Sequence, residues 1–416
     1  MHPLEIPELL QEVAECIDQL PDLSSLSQVD RLAHAVVTPY LFRDISISFN
    51  SFNSLANAIR ADPARAGCCR SFTFCRGMEM AWDAENFGPI ETLLQDIVSV
   101  FDALSQCHPR RLMASSWMRL PLAHTHFTQL RILHLEICDD TDVWDGSPLQ
   151  ALLDTLLDLE DLSLEFQVLD SEGITLGSTH PRLRRFALHS EKLVDESDFL
   201  VRHPGIETLF LDTRQCFRRE INIAESSLRT LSLDEYSLSA SPTILQQPLR
   251  HLRFREVNGE PEVVFEHAIR AVSSTLRCLE LDFFGGSDDP FPSYILALIE
   301  NTTALDELAI LARGISSRSS CTFLDNVLEA VGREASVRAL HLRGSQESLP
   351  RERLDDLGPL PPQLKYIQWD LPRTSYVYVV ERRRDKNVVS ETIIRPTIED
   401  LDWTEESVLR FLRVPW

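Results

Sequence analysis

Residues 226–233, SSLRTLSL, contain the pattern that decides the fold, and residues 274–281, STLRCLEL, repeat it. In both stretches large apolar residues occupy positions i, i+3 and i+5. Ten copies of this pattern occur, and the first and last start 234 residues apart, so their nine intervals average 26 residues. The first positions of the ten copies are Leu130, Leu159, Leu183, Ile206, Leu228, Leu249, Leu276, Leu305, Val337 and Leu364.

The spacing predicts a short strand in each copy, because positions i+3 and i+5 lie on the same face of an extended chain. Segments with helical spacing lie between copies, as at Leu149, Leu152, Leu153 and Leu156. One strand and one helix cannot bury their apolar faces alone, whereas stacked copies can. We therefore expect an α/β solenoid with a curved parallel sheet inside and helices outside. Weaker copies start at Phe42 and Cys69, and a third lies near Leu112.

The repeated LxxLxL core resembles the leucine-rich-repeat family over roughly residues 40–372. That family often places Asn or Cys at position i+8, where the side chain bonds the backbone of the turn. Only Cys138 meets this pattern among the ten copies, and no asparagine does. The resemblance therefore implies a solenoid with irregular turns and uneven curvature. It implies nothing about chemistry, because a fold does not determine a function.

The first forty residues predict two short amphipathic helices. Leu9, Leu10, Val13, Ile17 and Leu20 share one helical face, and Pro7 suits the first turn. A second helix is expected from a cap at Asp22 or Ser24 through an apolar stripe that runs from residue 23 to residue 36. Such a pair is too small to be stable alone, so it must pack on the solenoid, on a partner, or on both.

This segment resembles an F-box, the motif that docks on the adaptor subunit of SCF-type ubiquitin ligases. The matching stretches are residues 6–10 (IPELL), 22–23 (DL), 27–29 (SQV) and 41–43 (LFR). Residues 30–34, DRLAH, depart from the family pattern. The resemblance implies that the adaptor is contacted by Leu4, Ile6, Pro7, Leu9, Leu10 and Val13. The alternative is a helical cap that only seals the first repeat, which solenoids require.

The inner face of the sheet is the expected target-binding surface. Positions i+4 and i+6 point away from the core in this register, and six of the ten i+6 residues are acidic, which favours a basic protein target. In the alternative reading these acids pair with basic residues of the i+1 row and form a solvated face. The predicted target-binding residues are Phe210, Asp212, Asp234, Arg253, Arg255, Glu280, Asp282 and His341.

After residue 372 the repeat ends. Alternation predicts a strand over residues 376–380, a turn over 383–387, a returning strand over 388–394 and a helix that begins at Thr404. The expected organisation is an F-box-like segment (1–44), the repeat solenoid (45–372) and a C-terminal hairpin with a capping helix (373–416). The C-terminal part is expected to cover the open edge of the last strand.

The composition of the chain limits the classes of function that we expect. A net charge of −24 opposes binding to nucleic acid or anionic membranes, and the sequence contains no apolar run long enough to cross a membrane. Nine scattered cysteines suggest reduced thiols in the cytoplasm or nucleus. No motif for catalysis, a metal or a cofactor is present, so we expect a non-enzymatic protein. The sequence thus favours a substrate-recognition subunit of an SCF-type ligase. The alternative is a leucine-rich-repeat interaction scaffold with no ligase role.

Overall fold

The structure is a computed structural model, and the chain divides into two compact units, Met1–Gly205 and Ile206–Trp416. The unit boundary does not test the three-part organisation expected from the sequence, which stays a prediction. The residues that the structure describes are 6–17, 20–48, 52–75, 90–105, 109–116, 127–137, 147–166, 176–190, 197–213, 227–234, 247–257, 272–284, 302, 304–313, 327–328, 331, 336–343, 363–371, 374–383 and 386–392.

The first unit begins with three helices, α1 (Pro7–Cys16), α2 (Leu20–Ser27) and α3 (Arg31–Leu41). The prediction of a single second helix through residue 36 is wrong, because Asp30 starts a new helix. The Asp30 side chain accepts a 2.7 Å hydrogen bond from the Ala33 backbone N–H, as an N-terminal cap does. The apolar stripe from residue 23 to residue 36 therefore runs over two helices.

A small core joins these helices. Ala14, Leu23 and Val37 are buried together, one from each helix. The partly buried residues Ile17, Leu26, Tyr40 and Leu41 pack around them. The Tyr40 hydroxyl also donates a 2.8 Å hydrogen bond to Glu15 Oε1, which ties α3 to α1. The three helices therefore form a compact bundle.

Six parallel strands follow in the first unit, and each pairs with its neighbour in chain order. The weaker sequence copies near Phe42, Cys69 and Leu112 correspond to the first three strands, which confirms them as strands. The strands are β1 (Asp44–Ser48), β2 (Ser71–Cys75), β3 (Arg111–Ser116), β4 (Ile132–Ile137), β5 (Asp161–Phe166) and β6 (Arg185–Ser190).

Helices between these strands complete the core of the first unit. Phe101 on the helix Ile90–Ser105 is fully buried and makes edge-to-face contacts with Phe72 on β2 (5.8 Å between ring centroids) and Phe127 before β4 (6.3 Å). The helices are α4 (Phe52–Ala61), a 3₁₀ helix (Pro63–Cys68), α5 (Ile90–Ser105), α6 (Ser147–Thr155) and α7 (Ser197–Arg202).

Two buried histidines connect α7 to the turn before β6. The backbone N–H of His180 donates a 2.7 Å hydrogen bond to His203 Nε2, so the proton of His203 lies on Nδ1, 2.6 Å from the Phe199 carbonyl. Burial lowers the pKa of His203 to about 4. His203 is therefore neutral at physiological pH and acts as a structural acceptor.

The second unit contains seven parallel strands followed by an antiparallel hairpin. The hairpin confirms the predicted strands near residues 376 and 388. The turn predicted over residues 383–387 is wrong, because Arg382 pairs with Asn387 and Arg383 pairs with Lys386. The strands are β7 (Thr208–Thr213), β8 (Thr230–Asp234), β9 (His251–Val257), β10 (Cys278–Phe284), β11 (Glu307–Arg313), β12 (Ala339–Arg343), β13 (Tyr366–Leu371), β14 (Thr374–Arg383) and β15 (Lys386–Thr392).

The burial pattern confirms the register read from the sequence. The i and i+3 residues of all ten copies are at most 3% exposed, and Leu209, Leu231, Leu252 and Leu279 are aligned across four strands with no exposed surface. Burying each such side chain contributes about 1.5–3 kcal/mol. The α/β class and the parallel sheet are therefore confirmed, and pairing in chain order is compatible with a curved solenoid.

Two sequence expectations fall outside this description. The helix expected from Thr404 lies outside the described residues, as does Leu4. In the part of the chain that the structure describes, no helix combines the length and the apolar character that crossing a membrane requires.

Candidate functional site

Exposed apolar side chains concentrate on the N-terminal helices. Seven large hydrophobic residues are exposed among the described residues, and five of them lie between residues 9 and 32. An apolar concentration of this kind is typical of a protein-binding surface, whereas isolated exposed hydrophobics carry no such meaning. The five residues are Leu9 (40% exposed), Val13 (42%), Leu20 (52%), Val29 (58%) and Leu32 (36%).

Helix α1 presents distinct faces. Leu10 and Ala14 are buried, at 0% and 2% exposure. Leu9, Val13 and Cys16 are exposed at spacing i, i+4 and i+7, so they share a second face, which we call the outer face of α1.

The predicted adaptor-binding residues therefore divide between these faces. Pro7, Leu9 and Val13 are exposed, and Ile6 is half-buried. The expectation that Leu10 is accessible is wrong, because Leu10 packs inward and supports the helix. The sequence stripe combined Leu9, Leu10 and Val13 on one face, although the structure turns Leu10 away from the other two.

A third side of α1 borders a groove of about 990 Å³. Pro7, Glu8, Gln11 and Glu15 form the α1 wall of the groove. The α3 wall is formed mainly by Ala35, Val36, Pro39 and Tyr40. Three arginines at the starts of neighbouring strands, Arg43, Arg70 and Arg110, and residues 67–69 line the remaining side.

Hydrogen bonds fix the polar side chains of this groove. Tyr40 and Gln11 both donate to Glu15 Oε1, at 2.8 and 3.2 Å. The bond from Tyr40 is the main reason that the pKa of Glu15 lies below its ordinary value. The pKa of Tyr40 is raised, chiefly because the ring loses solvent. The Arg43 guanidinium lies 5.8 Å from the centre of the Tyr40 ring, within the range of a cation–π contact.

The groove arginines belong to a regular feature, which we call the strand-start row. In this row the backbone carbonyl of one residue accepts two N–H bonds from the next repeat, as Arg43 does from Arg70 (2.8 Å) and Ser71 (3.1 Å). The first unit contributes Arg43, Arg70, Arg110, Arg131, Glu160 and Arg184. The second unit contributes Glu207, Arg229, Arg250, Arg277, Asp306, Arg338 and Lys365.

This row is basic in a chain that is strongly acidic. Five of its six residues in the first unit and five of seven in the second are Arg or Lys. Two of its three acids pair within the row: Glu160 lies 3.4 Å from Arg131, and Asp306 lies 3.7 Å from Arg277. These pairs are largely exposed and contribute at most about 1 kcal/mol each. In both pairs the acid belongs to the i+1 row itself, so the pairing of i+1 arginines with i+6 acids stays a prediction.

On the inner face of the first unit, strands β4–β6 carry a charged cluster. Asp161 Oδ1 lies 3.3 Å from His134 Nε2 and 3.7 Å from Arg185 Nε. The three side chains are between 17% and 29% exposed, so they form a half-buried polar surface. His134 is the i+4 residue of its copy, so the sequence placed it on this face, but the sequence analysis did not identify the cluster.

On the inner face of the second unit, the burial of the predicted target-binding side chains differs from the expectation. Phe210, Arg253, Glu280 and His341 lie on the predicted strand positions, but they are at most 6% exposed. The expectation that these four side chains face solvent is therefore wrong. The other predicted target-binding residues are Asp212, Asp234, Arg255 and Asp282, whose side chains lie outside what the structure describes.

A buried ion pair lies in this face. Arg253 Nε on β9 is 3.0 Å from Glu280 Oε1 on β10, and the two residues are direct cross-strand neighbours. Beside them, His251 and Cys278 form the next aligned pair. Burial lowers the pKa of His251 to about 3 and raises the pKa of the Cys278 thiol well above its ordinary value. A neutral imidazole beside a protonated thiol is not an activated nucleophile.

No group of three or more His, Cys, Asp or Glu side chains is arranged to hold a metal ion within the described ranges. The surfaces that remain are the outer face of α1, the groove with the strand-start row, and the half-buried cluster of the first unit. All three suit protein contacts. In comparisons with known proteins, neither a family model nor a curated protein matches this chain.

Proposed function

We propose that this chain is a substrate-recognition subunit of an SCF-type ubiquitin ligase, with an F-box-like segment in α1–α3 and leucine-rich repeats behind it. The concentration of exposed hydrophobics on α1–α3 carries the proposal. A helical segment that served only as a cap would bury its large apolar residues, whereas Leu9 and Val13 are 40% and 42% exposed.

In this proposal the outer face of α1 contacts the adaptor subunit, and Pro7 and Ile6 extend the contact at the start of the helix. Ala14 packs with Leu23 of α2 and Val37 of α3, and Leu10 is buried on the same side of α1. The repeats bind a target protein and contribute no catalysis. A basic target stays a prediction from the acidic i+6 row of the sequence.

The experiment compares the adaptor affinity of the wild-type chain with that of a Leu9→Asp/Val13→Asp variant. An apolar hot spot contributes about 2 kcal/mol, so losing two should weaken binding at least about hundredfold. Both side chains point to solvent, so the variant should keep the wild-type far-UV circular dichroism. Isothermal titration calorimetry with purified adaptor measures the two affinities.

A Leu157→Asp/Val201→Asp variant is the matched control. Those residues are 64% and 60% exposed, and the substitutions add the same charge away from α1. The control should bind the adaptor as the wild type does. Equal affinity of the wild type and the Leu9/Val13 variant would contradict the proposal.

A second function follows from the burial of Leu10 and Ala14. If the helices act only as a cap, the protein is a leucine-rich-repeat interaction scaffold with no ligase role. In that case the wild-type chain has no measurable affinity for the adaptor, and the Leu9 and Val13 substitutions change nothing.

A further inference from the structure

Four arginines follow one another without interruption in the strand-start row of the first unit: Arg43, Arg70, Arg110 and Arg131. Their backbones are joined by hydrogen bonds of 2.8–3.1 Å, so their spacing follows that of the strands. Neighbouring strands lie about 4.8 Å apart, which gives the row a length of about 14 Å. The Arg70, Arg110 and Arg131 side chains are exposed, and the Arg43 side chain is 42% exposed.

The first three of these arginines line the groove beside α1 and α3. A guanidinium group has five N–H donors and can bind a carboxylate through two parallel hydrogen bonds. Arg43 also donates a hydrogen bond of 2.8 Å to Asp44. Both side chains are exposed, so this ion pair contributes little to stability. The groove carboxylate of Glu15 already accepts hydrogen bonds from Tyr40 and Gln11. The arginine wall of the groove is therefore suited to anionic groups of a ligand.

We propose that the groove and the four first-unit arginines Arg43, Arg70, Arg110 and Arg131 bind an acidic segment of a polypeptide. Two observations favour a polypeptide. The α3 wall of the groove includes the apolar side chains of Val36 and Pro39, so the groove suits a ligand with both carboxylates and aliphatic surface. An extended segment rises about 3.3 Å per residue, so about four residues match the length of the row.

This site adjoins the proposed adaptor contact and shares Pro7 with it, but different side chains carry the two proposals. Gln11 and Glu15 face the groove, whereas Leu9 and Val13 lie on the outer face of α1. The proposal therefore goes beyond ligase function and does not depend on it. If the adaptor fails to bind, the groove can still bind an acidic segment, and the reverse also holds.

The test uses the full chain and a fluorescein-labelled peptide of repeated Glu-Ser-Gly units, with binding followed by fluorescence anisotropy. We expect saturable binding that weakens as NaCl is added, because partly exposed ion pairs are screened by salt. An Arg70→Glu/Arg110→Glu variant should bind at least about tenfold more weakly, since two charge-assisted contacts become repulsive. The milder Arg70→Gln/Arg110→Gln variant should show a smaller loss in the same direction.

An Arg229→Glu/Arg250→Glu variant is the matched control. It changes two exposed strand-start residues of the second unit and alters the net charge equally. It should keep an affinity close to that of the wild type. The proposal is overturned if the control loses as much affinity, if a Gln-Ser-Gly peptide binds equally well, or if single-stranded DNA of equal charge binds more tightly. Absence of binding by the wild type would also overturn it.

Discussion

Replacing Glu280 with Ala is expected to lower the free energy of unfolding by about 3–5 kcal/mol, because it leaves a buried guanidinium without its carboxylate. Arg253 and Glu280 lie 3.0 Å apart on adjacent strands, and their side chains are 7% and 0% exposed. Arg253 cannot lose its proton at any ordinary pH, so its charge must stay in the sheet. Urea denaturation followed by far-UV circular dichroism measures the loss.

The double variant Arg253→Met/Glu280→Leu separates the contribution of the two charges to stability from the contribution of side-chain packing. It removes both charges and keeps similar volumes, so it should recover most of the stability that Glu280→Ala loses. An exposed control, Glu160→Ala, removes a row carboxylate that is 41% exposed and should change stability by less than about 1 kcal/mol. A Glu280→Ala loss as small as that of the control would show that the ion pair is not buried.

Replacing Phe101 with Ala should destabilise the first unit by about 3–5 kcal/mol. The Phe101 ring is fully buried, and it joins α5 to β2 through Phe72 and to the turn before β4 through Phe127. The remaining cavity would lie among aromatic side chains that cannot close it. Hydrogen–deuterium exchange should therefore show faster exchange in β2, β3 and β4.

Two control variants test whether the loss of stability comes from removing the buried Phe101 ring. Phe101→Leu keeps most of the apolar volume and should cost less than Phe101→Ala. Leu157→Ala changes a side chain that is 64% exposed and should lie within about 0.5 kcal/mol of the wild type. Unchanged exchange in β2–β4 of the Phe101→Ala protein would contradict the described core.

The repeat could be predicted from the sequence because its signal is periodic and local. An i, i+3, i+5 pattern of large apolar residues needs one face of a strand and the turn before it. The structure buries the i and i+3 rows and every i+5 residue whose side chain it describes. Even the weak copy near Leu112 forms β3. The face on which each of these residues lies follows from the alternation of side chains along a strand, which is a local property of the sequence.

The helices were harder to place because their boundaries depend on single polar contacts. The apolar spacing from residue 23 to residue 36 continues across the end of α2, so it gave no sign of a break. The break comes from Asp30, whose side chain caps α3 at Ala33. The faces of α1 were also merged, because Leu9 and Leu10 are adjacent in the sequence although they point in different directions.

The candidate sites could be predicted only in part. Alternation placed Arg253, Glu280 and His341 on the inner face correctly, but it could not show that these three side chains are buried. Burial of a sheet face depends on what lies over it, which strand periodicity does not contain. The groove beside α1 was missed for a similar reason, since it brings together Glu15, Tyr40 and Arg110 from separate elements.

The first unit carries two surfaces of different chemistry. Under the proposed function the outer face of α1, which exposes Leu9 and Val13, contacts the adaptor, whereas the neighbouring groove is lined by arginines on one side. Two partners with different chemistry could bind these faces together. In that case α1 and α3 would contact both the adaptor and an acidic polypeptide segment.

The most direct test of adaptor docking is the alkylation rate of Cys16, an exposed free thiol on the outer face of α1. The chain is treated with iodoacetamide with and without saturating adaptor, and mass spectrometry follows each cysteine. Our account predicts that the adaptor protects Cys16 and leaves the groove thiol Cys68 unprotected. An unchanged Cys16 rate in the presence of saturating adaptor would contradict docking on this face.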